Sequence, residues 1–426
     1  MTSVASSTRE RIVPLAWVMW GMAATFYGYA FFQRVLPSVM VDQLMAEFAL
    51  GGALLGNLSA FYFYAYAGLQ LPVGMLIDRF GPRMVLTVAA ILCAGGSVLF
   101  SQAESIELAY LGRFLIGAGA AFTWVGALTL ASRWFPARRF ALLTGLTIVF
   151  GMVGAISGQG PAAALLGEVS WRDVLLGAGG VGLGFAALII LVVRDHPPMS
   201  DAGRQRAPAG KGIMAGLRVV ASNPQSWIIA FCTGLISVPL LAFGALWGVP
   251  YLMQVYGVGR PEAAFSVSVL LVGMAIGGPV TGWISDRIGR RRRPLVVGIV
   301  LMLTTLLAMF FIPGLPLDAF RVLLFVNGLS SGCFVVCYAS VRETNRSETA
   351  GTALGLVNMF TIGSGAAFQP IVGLLLDLGW DGRMQGGARF YSPETYQNAF
   401  LVLPVCAGVA LLLSFFFRET WCKPID

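Results

Sequence analysis

The chain has 426 residues, of which 57% are hydrophobic and 11% charged, with a mean hydropathy of +0.79. An ordinary globular domain is about a quarter charged, so a soluble fold is excluded and the chain belongs in lipid. Lys and Arg number 28 against 20 Asp and Glu, a net charge of +8, and what that charge means depends on where the basic residues fall.

Crossing about 30 Å of hydrocarbon takes about 20 apolar residues of helix. Breaking the chain at charged or Gly/Pro-rich interruptions yields twelve such runs, at 14–41, 51–77, 84–103, 108–132, 140–166, 173–193, 225–253, 262–285, 295–312, 319–341, 350–376 and 396–417. The runs are continuous rather than alternating, which disfavours a barrel, and lipid accepts only helices or closed barrels. An all-α polytopic membrane bundle is expected. The opening stretch MTSVASSTRERIVP is short and polar, and the first run is too long for a signal-peptide core, so no cleavage is expected.

The first run contains Arg34, within YGYAFFQRVLPSVM. A charge at the bilayer centre costs about 2.5 to 3.5 kcal/mol or more and marks a functional site by default. The favoured reading is that Arg34 faces a cavity and binds a carboxylate or phosphate through its planar fork; the competing one is that it snorkels to headgroups near Pro37. In the second run Ser59, Tyr62, Tyr66 and Gln70 form one helical stripe that lipid would not favour. Asn327, Ser331, Phe334 and Tyr338 repeat that pattern in the tenth run. Gln159, Trp247, Tyr251, Asn358 and Gln369 are further candidates for a cavity wall. Interhelical bonding or interfacial anchoring is an equal reading for these stripes. Gly117, Gly119 and Ala121 in the fourth run, and Gly151, Gly154 and Gly158 in the fifth, suit close helix packing.

GMLIDRFGPR at 74–83 returns as GWISDRIGRR at 282–291, placing Asp78 and Asp286 208 positions apart. Arg113 pairs with Arg321 at the same offset, and Arg133 with Arg342, Pro161 with Pro370 and Trp171 with Trp380 at 209. An ordered series at nearly constant offset indicates duplicated six-helix units. Between them a linker over 195–223, containing DHPPMSDAGRQRAPAGKG, is rich in Pro, Gly and charge. It divides an N-terminal bundle, 1–194, from a C-terminal one, 224–426.

On these residues the chain resembles the major facilitator superfamily over essentially its whole length. The G-x-L-x-D-R-x-G-R loop of that family is matched by Gly74, Leu76, Asp78, Arg79, Gly81 and Arg83, with Pro82 where the strict pattern has Arg. The second copy has Ile284 in the Leu position but keeps Gly282, Asp286, Arg287, Gly289 and Arg290. A family R-x-x-x-G pattern in the fourth helix matches Arg113 and Gly117. The resemblance implies two six-helix halves around a central cavity, with alternating access by rocking of the halves. An arginine in the first helix is similar to the anion-transporting branch that includes organophosphate permeases. GMVGAISGQGP faintly resembles the glycine-proline motif of family antiporters, and no direction of transport is inferred from it.

If the chain starts in the cytoplasm and crosses twelve times, Arg172, Arg260, Arg383 and Arg389 lie outside, and Arg34, Arg113 and Arg321 lie in or at the start of runs. All other basic residues then lie inside, as the positive-inside rule asks. This places a multi-pass protein in the plasma membrane, the inner membrane if the cell is Gram-negative, with both termini cytoplasmic. The positive charge therefore reads as membrane orientation; a nucleic-acid role would gather basic residues and aromatics on one face. Asp78 and Asp286 end their helices at the cytoplasmic edge, where a carboxylate can pair with arginine or cap a neighbouring helix. Asp78, Arg79, Arg83, Arg133, Asp286, Arg287, Arg290 and Arg342 are accordingly read as a latch for the outward-facing state, the alternative being charges that only fix orientation.

The six cysteines lie mostly inside apolar runs and imply no disulfide framework, and Cys333 and Cys337 share a face without histidine or carboxylate neighbours to make a zinc site. The single histidine, His196, is in the linker. Asp42 and Glu47 fall near the outer end of the first run and Glu343 at the inner end of the tenth, so no acid sits in mid-membrane. That pattern favours anion exchange, facilitated movement or coupling through the substrate. No nucleophile-base pair, metal cluster or phosphate-cradling loop suggests an enzyme, a cofactor or a bound metal. The expectation is a monomeric secondary transporter of a small polar, anionic metabolite, with a coupling ion or counter-substrate as its further partner. A proton-coupled exporter of drugs or hydrophobic compounds is the alternative, followed by a transport-silent membrane sensor.

Overall fold

The computed structural model describes residues 2–136, 139–197 and 213–423. Twelve long helical segments succeed one another: α1 Thr2–Val35, α2 Gly52–Phe80, α3 Pro82–Ser101, α4 Ile106–Trp134, α5 Leu142–Leu165 and α6 Trp171–Val192, then α7 Pro224–Tyr256, α8 Arg260–Ile288, α9 Arg292–Phe311, α10 Leu317–Glu343, α11 Ala350–Leu378 and α12 Pro393–Ser414. Helices α3 to α12 are each long and apolar enough to cross a membrane. Of the segment read as a linker, residues 198–212 with Arg204, Arg206 and Lys211 lie outside the described residues, as does Arg138. Its last part forms a short helix, Ile213–Ala221, against α11.

The helix limits follow from local chemistry. Proline occupies the first turn of α3, α7, α8 and α12, where its missing N–H would have had no partner in any case. Ser105, Ser170, Asn223 and Ser392 accept hydrogen bonds from the opening turns of α4, α6, α7 and α12. Gly81 and Gly289, with φ of +79° and +63°, end α2 and α8 in a backbone region costly for other residues. Each Asp-Arg pair of the repeated motif thereby sits in the last turn of its helix.

Three departures from the hydropathy runs shape the interior. Helix α1 stops at Val35 instead of continuing to 41, because Pro37 cannot supply the N–H that a further α-helical turn requires. A buried 3-10 turn, Leu36–Val39, and a short helix, Val41–Glu47, follow. Arg34 therefore lies in the last turn of α1, near one end of the span, where a cation complements the helix dipole. Helix α5 breaks at Gln159 and restarts as Gly160–Leu165. Helix α7 carries a π-helical stretch, Pro239–Trp247.

Helices α1 to α6 form one bundle and α7 to α12 a second. In the first, α3 packs on α4 and α6, and α1 on α5; in the second, α9 packs on α10 and α12, and α7 on α11. The halves meet where α2 runs along α11 and α5 touches α8. The end holding Gly81, Arg133, Gly289 and Arg342 is called the basic end below, and the end holding Gly52 and Asp377 the opposite end.

Close backbone approach depends on glycine at several crossings, two of which bear on the site. A Cβ on Gly373 would stand 2.0 Å from the Gly52 carbonyl oxygen, and one on Gly117 would stand 2.1 Å from that of Tyr62. The first crossing joins the halves, and the second seats α4 on α2. Gly117→Val should lower stability in detergent by about 1 to 3 kcal/mol through overpacking, whereas Gly184→Ala, at a position with nothing within 4 Å, should leave the thermal midpoint unchanged or raise it. Thermal unfolding of the two variants checks the contrast.

Candidate functional site

The interior of the first half holds two arginines. Arg34 is only 6% exposed, so its side chain does not extend to the lipid surface. Its guanidinium carbon lies 4.0 Å from the Phe31 ring centre, 5.4 Å from Tyr66 and 5.6 Å from Tyr62. Its Nε donates a long bond, 3.4 Å, to the Tyr62 hydroxyl. Aromatic faces attract a desolvated cation by up to about 2 kcal/mol, which offsets part of the burial cost without neutralising the charge. Arg113, from α4, is 1% exposed and lies 5.1 Å from the same Tyr62 ring. It donates to the carbonyl oxygens of Gln33 and Ser59, and its Nε has no partner. Among the described residues neither arginine bonds to a carboxylate.

A chain of polar groups leads from this cage toward the basic end and crosses between the halves. Tyr62 and Tyr66 stack with ring centres 6.0 Å apart, and Gln70 follows one turn later. The Asn358 amide donates to Gln70 Oε1 at 2.7 Å, and the Tyr338 hydroxyl donates to Asn358 Oδ1 at 3.0 Å, with Thr361 3.2 Å away. Six residues singled out in the sequence, Arg34, Tyr62, Tyr66, Gln70, Tyr338 and Asn358, thus form one contiguous set spanning α1, α2, α10 and α11.

Three other candidates seal the opposite end. The Gln159 amide donates to the Gly244 carbonyl at 2.7 Å and accepts from Ser268 at 2.9 Å. Trp247, wholly buried, donates to the Gln369 carbonyl, and the Gln369 amide donates to the Leu241 carbonyl. Leu241 and Gly244 both belong to the π-helical stretch of α7. The wider i to i+5 spacing of such a stretch often accompanies functional sites, and here side-chain amides from α5 and α11 engage two of its carbonyls.

Two candidates belong elsewhere. Asn327 donates to the Met302 carbonyl and Thr305 hydroxyl, which fastens α10 to α9 outside the polar chain. Tyr251 packs in an aromatic cluster with Phe243, Phe310, Phe320, Tyr396 and Phe400 inside the second half. Helical spacing finds a polar or aromatic stripe, but it does not reveal which neighbour that stripe meets.

A cross-half latch at the opposite end escaped the sequence reading. Asp377, in the last turn of α11, accepts from the backbone N–H of Gly52 at 2.7 Å and of Ala53 at 2.9 Å. One half thus supplies the N-terminal cap that α2 lacks locally. Arg389 and the Tyr391 hydroxyl also donate to Asp377, and burial together with this carboxylate pushes the Tyr391 phenol up, keeping it a donor. Arg260 pairs with Asp42 across the same interface. The offset of 209 matches Asp377 with Glu168, whose exposed side chain makes no such bond, so the repeat alone could not signal the latch.

At the basic end the repeated motifs engage their own halves. Arg83 donates to the Ile190 carbonyl at the end of α6, and its backbone N–H bonds to Asp195 at 2.8 Å. In the second half Glu419 caps α9 equivalently, through the N–H groups of Arg291 and Arg292. The arginine that holds Asp286 is Arg291, at 2.6 Å, and it also pairs with the buried Glu343 at 2.7 Å. Burial works against its charge, but the bonds to Glu343 and Asp286 outweigh this and keep it above the usual arginine range. Arg290 instead lies over the Trp421 ring. The repeat offset of 208 from Arg83 was the signal that could have picked out Arg291. Asp78 is exposed and bonds to nothing among the described residues. Arg79 and Arg287 cover the Phe80 and Trp283 rings, Arg133 approaches His196 of the linker, and Arg342 is exposed.

A sequence model of the Major Facilitator Superfamily matches residues 18–250 and again residues 241–421. The chain belongs to the major facilitator superfamily. It is a multi-pass membrane transporter and not an enzyme. It is 23% identical over 280 residues to the probable sulfoacetate transporter SauU of Cupriavidus necator, an alignment covering 64% of this chain and 65% of that protein. It is 28% identical to the oxalate:formate antiporter of Oxalobacter formigenes, over 84% of this chain and 81% of that one. In fold it matches the crystal structure of a bacterial homologue of the human lysosomal transporter Spinster, in an inward-facing and occupied conformation, with a TM-score of 0.79. That match has 17% identity and covers 95% of this chain and 97% of that one.

Glu343→Gln should cost this transporter about 1 to 3 kcal/mol, because it weakens the pairing of a buried guanidinium, while Asp78→Asn should cost no more than about 0.5 kcal/mol as an exposed substitution. Thermal denaturation of the pure proteins distinguishes the two. Asp377→Asn, which removes the charge that caps α2, should raise the labelling rate of a cysteine placed at the opposite end of α2 without unfolding the protein.

Proposed function

We propose that this transporter moves a small organic anion, a carboxylate, sulfonate or phosphate, by alternating access, with Arg34 as the group that binds its charge. The observation that carries the reading is a buried guanidinium without a carboxylate partner at the head of a polar chain that crosses the halves. An anion reaching Arg34 would supply charge-assisted bonds that the aromatic cage cannot. Tyr66, Gln70, Tyr338 and Asn358 would then contact the uncharged part of the substrate from both halves, so that its binding favours a state in which the halves come together. The names of the sulfoacetate and oxalate:formate relatives, both denoting small anions, support the same class.

The basic end is assigned to the cytoplasm, with both termini there and the plasma membrane as the location. The described conformation is then the inward-facing one, its outer end shut by Asp377, Arg389, Tyr391, Gln159 and Trp247. The two halves, 1–194 and 224–426, are the moving bodies. As the basic end closes, the exposed Asp78 gains partners from the other half and Asp286 is shared between Arg291 and that half, which stabilises the outward-facing state by about 1 to 3 kcal/mol. Coupling runs through the substrate or a counter-substrate, because the cage and polar chain contain no carboxylate that could carry a proton. The protein acts as a monomer.

Uptake into vesicles with a panel of radiolabelled anions tests the reading. Arg34→Lys should reduce apparent affinity about tenfold, since it keeps charge but loses the fork, and Arg34→Ala should abolish uptake; neutral analogues and hydrophobic cations should not compete. Unimpaired uptake by both variants would remove Arg34 from the site, and competition by hydrophobic cations would favour a proton-driven exporter. Asp78→Asn should shift the population toward the inward-facing state, read as slower labelling of an outer-end cysteine.

A further inference from the structure

We infer that the groove between the start of α9 and the segment after α12 is a binding site for an anionic phospholipid headgroup. This groove has a volume of about 470 Å³ and is lined by Arg290, Arg292 and Arg293, by Val296 and Val297, and by Trp421 over Glu419. Arg290 lies 4.4 Å from the Trp421 ring centre and Arg292 lies 5.5 Å from that of Phe415. The side chains of these three arginines form no ion pair among the described residues. The one acid present, Glu419, is spent on the backbone N–H groups of Arg291 and Arg292 at 2.8 and 3.1 Å. Those bonds direct the Glu419 carboxylate to the helix start rather than to a guanidinium, so among the described residues the groove sets three positive charges against one negative.

The position selects a lipid over a soluble anion. The arginines stand where the apolar span of α9 begins, and the wall continues along that span through Val297, 65% exposed, and Val300, 42% exposed. Phe416, at the end of α12, is 67% exposed as well. A ligand fitting both parts carries a phosphate at the level of the arginines and acyl chains along the apolar wall, and basic pockets beside membrane helices take such headgroups. The cluster is particular to the second half. At the repeat offset of 208, Arg290, Arg292 and Arg293 correspond to Pro82, Met84 and Val85, so the first half has no equivalent. The tail that closes the groove also adopts an uncommon backbone, with φ of +56° at Trp421 and +58° at Cys422, a conformation held only where surrounding contacts impose it.

The full-length protein, purified and exchanged into phosphatidylcholine nanodiscs, is titrated with phosphatidylglycerol and read by native mass spectrometry and thermal midpoint. Phosphatidylglycerol should be retained over phosphatidylcholine. The double variant Arg292→Gln/Arg293→Gln should lose about tenfold or more in that retention, while Arg218→Gln, at an exposed arginine elsewhere at the basic end, should match the parent. Circular dichroism establishes that the variants are folded. Equal retention of the two lipids, or a double variant as lipid-selective as the parent, would overturn the proposal. Full displacement of the lipid by millimolar inorganic phosphate would assign the groove to free phosphate and overturn the lipid as its occupant.

Discussion

Burying two guanidinium groups against one tyrosine ring, with no carboxylate among the described residues to neutralise either, is the condition around which the first half is organised. In hydrocarbon every polar group needs an internal partner, and an unpaired charge is costlier still. Arg113 meets the condition with two backbone carbonyls. Arg34 meets it with ring faces and one long bond. Gly117 lets α4 approach α2 closely enough for Tyr62 to serve both, and the stop imposed by Pro37 places Arg34 in the final turn of α1. The result is a desolvated positive site, to which the proposed anion would bring the missing partner.

The two ends of the bundle treat their charges differently. At the opposite end, Asp377 reaches across the halves to cap α2, and glycines bring the backbones of α2 and α11 together. At the basic end, Arg83 and Arg291 are bound within their own halves or to the adjoining linker, Arg83 to Ile190 and the linker's Asp195, Arg291 to Asp286 and Glu343. Opening the opposite end requires breaking the Asp377, Arg260 and Gln159 bonds and parting the glycine-packed crossing of α2 and α11. A substrate can shift that equilibrium by no more than its differential affinity for the two states.

Much of this was legible in the sequence because lipid imposes a simple grammar. Continuous apolar runs marked the spans, and a constant offset marked the repeat. A charge inside a run drew attention to Arg34, and a spacing of four grouped Tyr62, Tyr66 and Gln70. What stayed hidden depended on which helix faces which. Asn327 shares the stripe of Tyr338 and Tyr251 is a candidate of its own, but both are consumed by packing within the second half, and Asp377 looks like an ordinary helix-end acid until α2 is placed beside it. Arg290 stood out as a motif residue, yet Arg291 makes the bonds, because both lie in the turn between α8 and α9, where the chain after Gly289 directs Arg291 to Glu343 and Arg290 to the Trp421 ring.

The most direct test of the account is equilibrium binding without transport. Thermal midpoints of the purified protein are measured against carboxylates, sulfonates and phosphates, each beside an uncharged isostere, in the parent and in Arg34→Gln. At a ligand concentration of about 100 times the dissociation constant, binding adds about 2.7 kcal/mol of stability. The account predicts a raised midpoint for at least one charged ligand, none for its neutral partner, and loss of the shift in Arg34→Gln. An equal shift from the neutral partner, or one that survives in Arg34→Gln, would contradict it.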